Sequence, residues 1–103
     1  MSQRVSQLMD DIQRCLQQSG HWQTIPPTVE KMQSQAPFSI DTLTFLEWLQ
    51  WVYLARLRAI IDAGSDLPSG ALVAPYAEEA LKADGVLIDN LLPLIHQLDS
   101  ALA

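Results

Sequence analysis

An all-α four-helix bundle is the fold this sequence predicts, on three observations. Apolar residues recur at three- and four-residue spacing in long segments near 2–18, 41–62 and 86–101. Glycines and prolines fall between those segments, apart from one proline in the last. The middle segment carries an apolar arc well over 100° wide, which suits a helix touched by several neighbours.

The first helix is expected from about Ser2 to Gln18. Val5, Leu8, Met9, Ile12, Cys15 and Leu16 share a narrow face, and Arg4, Asp10, Asp11 and Arg14 lie mostly elsewhere. Ser19-Gly20 ends it. His21 and Trp22 then open an irregular connection through Pro26-Pro27.

A short helix near 28–34 can start at Pro27, with Glu30 favourably placed in its first turn and Val29 and Met32 able to turn inward. Pro37 breaks it, because the residue before a proline avoids the helical region. Trp22 or Phe38 is expected to lie as a lid on the core.

The central helix is predicted over about 41–62, roughly 33 Å of rod. Asp41 is a suitable N-cap and Gly64 a suitable stop. Leu43, Leu46, Leu49, Tyr53, Leu54, Leu57, Ile60 and Ile61 cluster on one side, widened by Phe45 and Val52. Gln50 and Arg56 fall inside that arc. A buried guanidinium must find an acid, and Glu78 or Glu79 is the expected partner. Gln50, Arg56, Tyr76, Glu78 and Glu79 are therefore the candidate structural polar network, against a plainer reading of snorkelling side chains or ordinary structural hydrogen bonds. Trp48 and Trp51 fall on the far side. They form either a second seam packed under a loop or, for Trp51 with Glu47 and Arg58 beside it, a protein-binding patch.

The segment SDLPSGALVAP after Gly64 is too rich in Gly and Pro for a helix. It should cross one face or end of the bundle, pinned by Leu67, Leu72 and Val73 over Trp48 or Trp51. Pro75 sits well at the start of a short helix near 75–83, whose Glu78 and Glu79 have solvated charge as their plain role. Asp84-Gly85 makes a turn or cap. The last helix, about 86–101, gathers Leu87, Ile88, Leu91, Leu94, Ile95, Leu98 and Leu102 on one face. Pro93 lies opposite and should kink this helix without ending it.

The string PFSIDTLTFLEWLQWVYLARL from Pro37, then Leu67-Pro68 and PYAEEAL from Pro75, resembles the YqcC-like family of small bacterial proteins. The resemblance covers nearly the whole chain and is densest from Ala36 to Leu81. It implies an all-helical, four-helix-type protein without established biochemical activity or catalytic residues to carry over. It also implies a gene that often neighbours one for a tRNA pseudouridine synthase. Where the family is expected to favour proline before Arg56, this chain has Ala55, so the helix should run straighter here.

With 103 residues the chain is expected to form one domain, 1–103. Its composition, 49% hydrophobic and 17% charged, is that of a folded protein. Residues 1–61 hold five acids and five bases; residues 62–103 hold seven acids against Lys82 alone, which accounts for the net charge of −6. So acidic a half would repel RNA, and direct nucleic-acid binding is not expected. A protein partner is expected, and the charge favours a basic one; the resemblance points to a tRNA pseudouridine synthase. Wide apolar faces also leave a homodimer open. Charge breaks each apolar run, so no membrane span is expected. The N-terminus lacks the pattern of a signal peptide and Cys15 is the single cysteine. Cytoplasmic residence is the simplest expectation.

No catalytic or cofactor motif appears. Cys15 reads as an inert thiol at the edge of an apolar face. His96 and Asp99 offer at most two metal ligands, so no metal site is expected. Glu78 and Glu79 diverge by about 100° on a helix and make no acid–base pair. The sequence therefore predicts a non-catalytic interaction module with Glu47, Trp48, Trp51 and Arg58 as candidate partner surface and no cofactor. The alternative is a small-molecule-binding regulatory domain using an opening beneath Tyr76 and Arg56.

Overall fold

The computed structural model describes residues 2–70 and 72–103, with Ser2 described by its backbone alone. The described residues form helices and turns and no strand. In order they are α1 (Ser2–Gln18), α2 (Val29–Met32), α3 (Phe45–Trp48), α4 (Ala55–Asp62), α5 (Ala74–Asp84) and α6 (Leu91–Ala101). A π turn, Leu49–Leu54, joins α3 and α4 into one continuous rod.

α1 keeps its expected bounds because its 3-4 stripe is uninterrupted. Val5, Leu8, Met9, Ile12 and Leu16 are at most 1% exposed, each worth about 1.5–3 kcal/mol of burial. They face α6, which presents Leu91, Ile95, Leu98 and Leu102. α5 also packs on α6, through Ala74, Ala77 and Leu81. The helix that others share most closely by backbone is thus α6, not the expected central rod. The rod contributes Phe45, Leu49, Leu54 and Leu57 to the core, and such bulky contact residues hold helix axes apart. Trp22 and Phe38 both lie against this core as lids.

Several boundaries differ from expectation, each for a local reason. The rod begins at Phe45, not Asp41, because Thr44 and Glu47 form a reciprocal capping box. Thr44 Oγ1 accepts from Glu47 N–H at 3.2 Å, and Glu47 Oε1 accepts from Thr44 N–H at 3.0 Å. Asp41 instead accepts from the Ser34 hydroxyl. The rod ends at Gly64 as expected. Gly64 has φ of 69°, and the Ser65→Ile60 and Gly64→Ile61 amide bonds, 3.1 and 3.0 Å, close a paired C-terminal cap.

The short helix is a single turn behind a Thr28 cap, and Val29 points outward at 71% exposed. The crossover is held at the far end of the fold, where Gly70 N–H donates to Leu102 O at 3.0 Å, rather than over the tryptophans. Leu67 and Val73 turn inward, Leu72 stays 69% exposed, and Ala71 lies outside the described residues.

α6 starts five residues later than expected. Asn90 takes a left-handed φ of 70° immediately before it, and Leu87, expected on the core face, is 97% exposed. Pro93 consequently sits in the first turn of α6, where its missing N–H has no helical partner to lose, and it marks the start instead of a kink.

The π turn has the widest consequence. It takes one residue more per turn, so residues after it are rotated by about one position relative to a regular α-helix. Arg56, placed in the apolar arc by regular spacing, therefore faces solvent, and no ion pair among the described residues joins it to Glu78 or Glu79. The regular rod expected around Ala55 is likewise interrupted just before it. No described helix is long and apolar enough to cross a membrane.

Candidate functional site

The side chains singled out on the rod are distributed by the capping box, the π turn and the loop after α1. Gln50, in the π turn, is 6% exposed and clamps that loop. Its Nε2 donates to Gln23 O at 2.7 Å, and its Oε1 accepts from Gln23 N–H at 2.9 Å. Both backbone groups of Gln23 are thereby satisfied by one amide, as in a strand pair. The Gln23 side chain spans outward, accepting from Trp51 Nε1 at 2.8 Å and donating to Glu47 Oε2 at 3.5 Å.

This clamp places Trp22 and Trp51 at one shallow depression of about 290 Å³, lined also by Gln13, Gln50, Leu54, Ala55 and Arg58. Arg58 crosses to α1, donating to Asp10 Oδ1 at 2.8 Å and to Gln13 Oε1 at 3.2 Å. The depression thus combines two half-buried indoles, a guanidinium and amides. Its polar groups, apart from the guanidinium, do not ionise.

Trp48 is directed elsewhere. It stacks on Tyr53 at 5.1 Å between ring centres and meets Phe38 edge-on at 4.8 Å. Phe38 stacks in turn on Tyr76 at 4.1 Å, and Tyr76 meets Phe45 at 5.7 Å. Phe38 reaches this position through a left-handed φ of 57°, a conformation that costs about 1–2 kcal/mol and that the aromatic contacts offset. The opening expected beneath Tyr76 and Arg56 does not join the two: Phe38 stacks on one face of the Tyr76 ring, which lines a groove with the 40–44 turn, and Arg56 lies in solvent.

Behind the aromatic cluster lies a buried polar pair that sequence reasoning missed. Asp99 is 7% exposed, and its Oδ2 accepts from the amides of Val73 and Ala74 at 2.9 and 2.8 Å. Asp99 Oδ1 and Tyr53 Oη are both buried without a partner among the described residues. Burial, and secondarily the charge of Asp99, pushes the Tyr53 phenol up to about 12. Asp99 Oδ2 is thereby committed to the α5 terminus, while His96, three residues earlier on α6, is exposed. Among the described residues no group of three His, Cys, Asp or Glu is arranged to hold a metal ion. Cys15 is half-buried, its thiol meets Asp89 O at 3.3 Å, and burial first, then Asp89, pushes its pKa up.

The four candidate surface residues are therefore divided. Trp51 and Arg58 share the depression, Glu47 supports it through Gln23, and Trp48 belongs to the core-side aromatic cluster. The five-residue polar network does not form. Gln50 is buried on Gln23, Tyr76 is in the aromatic cluster, and Arg56, Glu78 and Glu79 are exposed. Gln23 carried no signal in its loop, whereas Thr44-x-x-Glu47 was a readable capping box. Asp99 was an acid within the apolar spacing of Ile95, Leu98 and Leu102.

The family model described as tRNA pseudouridine synthase C matches residues 4–101. A Haemophilus influenzae protein, itself described as uncharacterized, is 42% identical over 95 residues, 92% of this chain and 90% of its own length. The Escherichia coli protein YqcC is 34% identical over 100 residues, 97% of this chain and 92% of its own. The solution NMR structure of YqcC superposes with a TM-score of 0.84, covering 98% of this chain and 86% of that one. A Pectobacterium carotovorum protein named tRNA pseudouridine synthase C is 46% identical over 65 residues, which are 63% of this chain but 17% of that protein.

Proposed function

The chain belongs to the YqcC-like family, and from that premise we propose that it is a non-catalytic protein-interaction module, accessory to a tRNA pseudouridine synthase. The observation that carries this reading is the Pectobacterium carotovorum match. There a segment 46% identical to 65 residues of this chain makes up 17% of a longer protein that bears the synthase name. A module joined covalently to its partner works at millimolar effective concentration. Where the two are not joined, the same proximity has to come from a surface on the module. The Trp22–Trp51–Arg58 depression supports the reading, since tryptophan and arginine dominate the energetically decisive positions of protein interfaces. The acidic balance supports a protein partner over direct contact with tRNA.

Sedimentation velocity of the full chain with purified tRNA pseudouridine synthase C tests this, with tRNA alone as a separate arm. The expected result is a stoichiometric complex with the synthase and none with tRNA. Trp51→Ala and Arg58→Glu should weaken it while leaving the far-ultraviolet circular dichroism unchanged. Absence of a complex at about 50 µM of each protein, weaker than most specific interfaces, would overturn the reading.

A further inference from the structure

Across Glu47 from the Trp51 depression, an open groove of about 720 Å³ runs between the 40–44 turn and α5. Its apolar lining is Ile40, Leu43, Phe45, Tyr76, Ala80 and Ala83, and Ile40 is 62% exposed. On α5 the lining residues Tyr76, Glu79, Ala80, Ala83 and Asp84 follow 3-4 spacing. They form an outer stripe beside the buried Ala77 and Leu81, roughly 12 Å long at 1.5 Å per residue. Alanines at 80 and 83 leave this stripe low, so a second backbone can come close.

The rim has one dominant sign. Glu47, Glu79 and Asp84 line the groove, Lys31 from α2 being the cation in its lining, and no ion pair among the described residues engages any of the three acids. Residues 62–103, which supply two of the acids, carry the whole −6 of the chain. We infer that this groove docks an amphipathic segment of a protein partner, about two helical turns long, whose apolar face covers Ile40 and whose Lys or Arg residues meet Glu79 and Asp84. The inference rests on the reading of the chain as an interaction module and names a second surface for it. A phosphate-bearing ligand is disfavoured by the same charges, and an acidic segment is excluded by like-charge repulsion.

The test is a nitrogen-15 NMR titration of the full chain with a synthetic peptide of about four turns, Leu along one face and Lys flanking it. A companion peptide carries Glu at every Lys. The Lys peptide should saturably shift the amides of residues 40–45 and 76–84, and the Glu peptide should not. Glu79→Lys with Asp84→Lys should weaken the Lys peptide at least about fivefold and favour the Glu peptide. Ile40→Ser, at an exposed position that folding does not need, should weaken binding of the Lys peptide. Equal response to the two peptides, or shifts centred on Trp22 and Trp51, would overturn the inference. So would the same amides moving with protein concentration alone, which would seat a second copy there. If the synthase binds the chain but the Lys peptide leaves the amides of residues 40–45 and 76–84 unmoved, the groove is refuted and the module stands. If the Lys peptide seats in the groove of a chain that binds no synthase, the groove stands and the synthase reading falls.

Discussion

Asp99 on α6 closes the N-terminus of α5: its Oδ2 accepts from Ala74 N–H at 2.8 Å and from Val73 N–H at 2.9 Å. An N-cap usually comes from the residue just before the helix, but Val73 is apolar and has no side-chain acceptor. A carboxylate from another helix takes that place and meets the positive end of the α5 dipole. The same contact fixes where the crossover ends.

Asp99→Ala should therefore cost about 2–3 kcal/mol, because two buried amides lose a charged acceptor. Asp99→Asn, which keeps one acceptor oxygen, should cost less. Urea unfolding at neutral pH measures both, and a loss under about 0.5 kcal/mol for the alanine variant would contradict the assignment.

Tyr53 should behave in the opposite way. Its hydroxyl is buried with no partner among the described residues, so Tyr53→Phe should leave stability unchanged or raise it by up to about 1 kcal/mol at pH 7. With the phenol pushed up to about 12 in the folded chain and near 10 when unfolded, the unfolded state loses its proton first as pH rises. Ionisation of this group therefore leaves stability unchanged below about pH 10 and lowers it between about 10 and 12. Phe at 53 should flatten that part of the alkaline stability profile, whereas an unaltered profile would show that other groups govern it.

Gln50→Leu should cost about 2–3 kcal/mol, since it strands both backbone groups of Gln23. Gln23→Ala, which leaves those backbone bonds in place, should cost about 1 kcal/mol or less. Trp51 should shift its fluorescence to the red in Gln23→Ala, which removes the acceptor of its Nε1. Equal losses in the two variants would contradict the clamp.

The start of the rod can be tested on its caps. Thr44→Ala should lower stability by about 1 kcal/mol, whereas Asp41→Ala should stay within about 0.5 kcal/mol. Thermal unfolding of the two variants side by side distinguishes them, and the reverse order would restore the earlier helix start.

The helices were legible wherever the pattern was local. The stripe of α1, the stops at Gly64 and Gly85, and the apolar spacing of Leu91, Ile95 and Leu98 state their own periods. Thr44-x-x-Glu47 was equally local, but the N-capping preference of Asp41 competed with it, and only the reciprocal bonds decide between them. The candidate surface was half legible. Trp51 and Arg58 do line one depression, but Trp22 joins them there from a loop whose Gln23 carries no pattern.

The sequence by itself determined the all-α class, the length of α1, the position of the main stops and the acidic C-terminal half, because each depends on residues within a turn or two of one another. Tertiary structure alone decided the outward turn of Arg56, the inward turn of Trp48 and the commitment of Asp99 to α5. A single extra residue in the π turn rephases every side chain after it, and regular periodicity cannot register that. A buried carboxylate likewise takes its role from whichever orphaned amides packing brings to it.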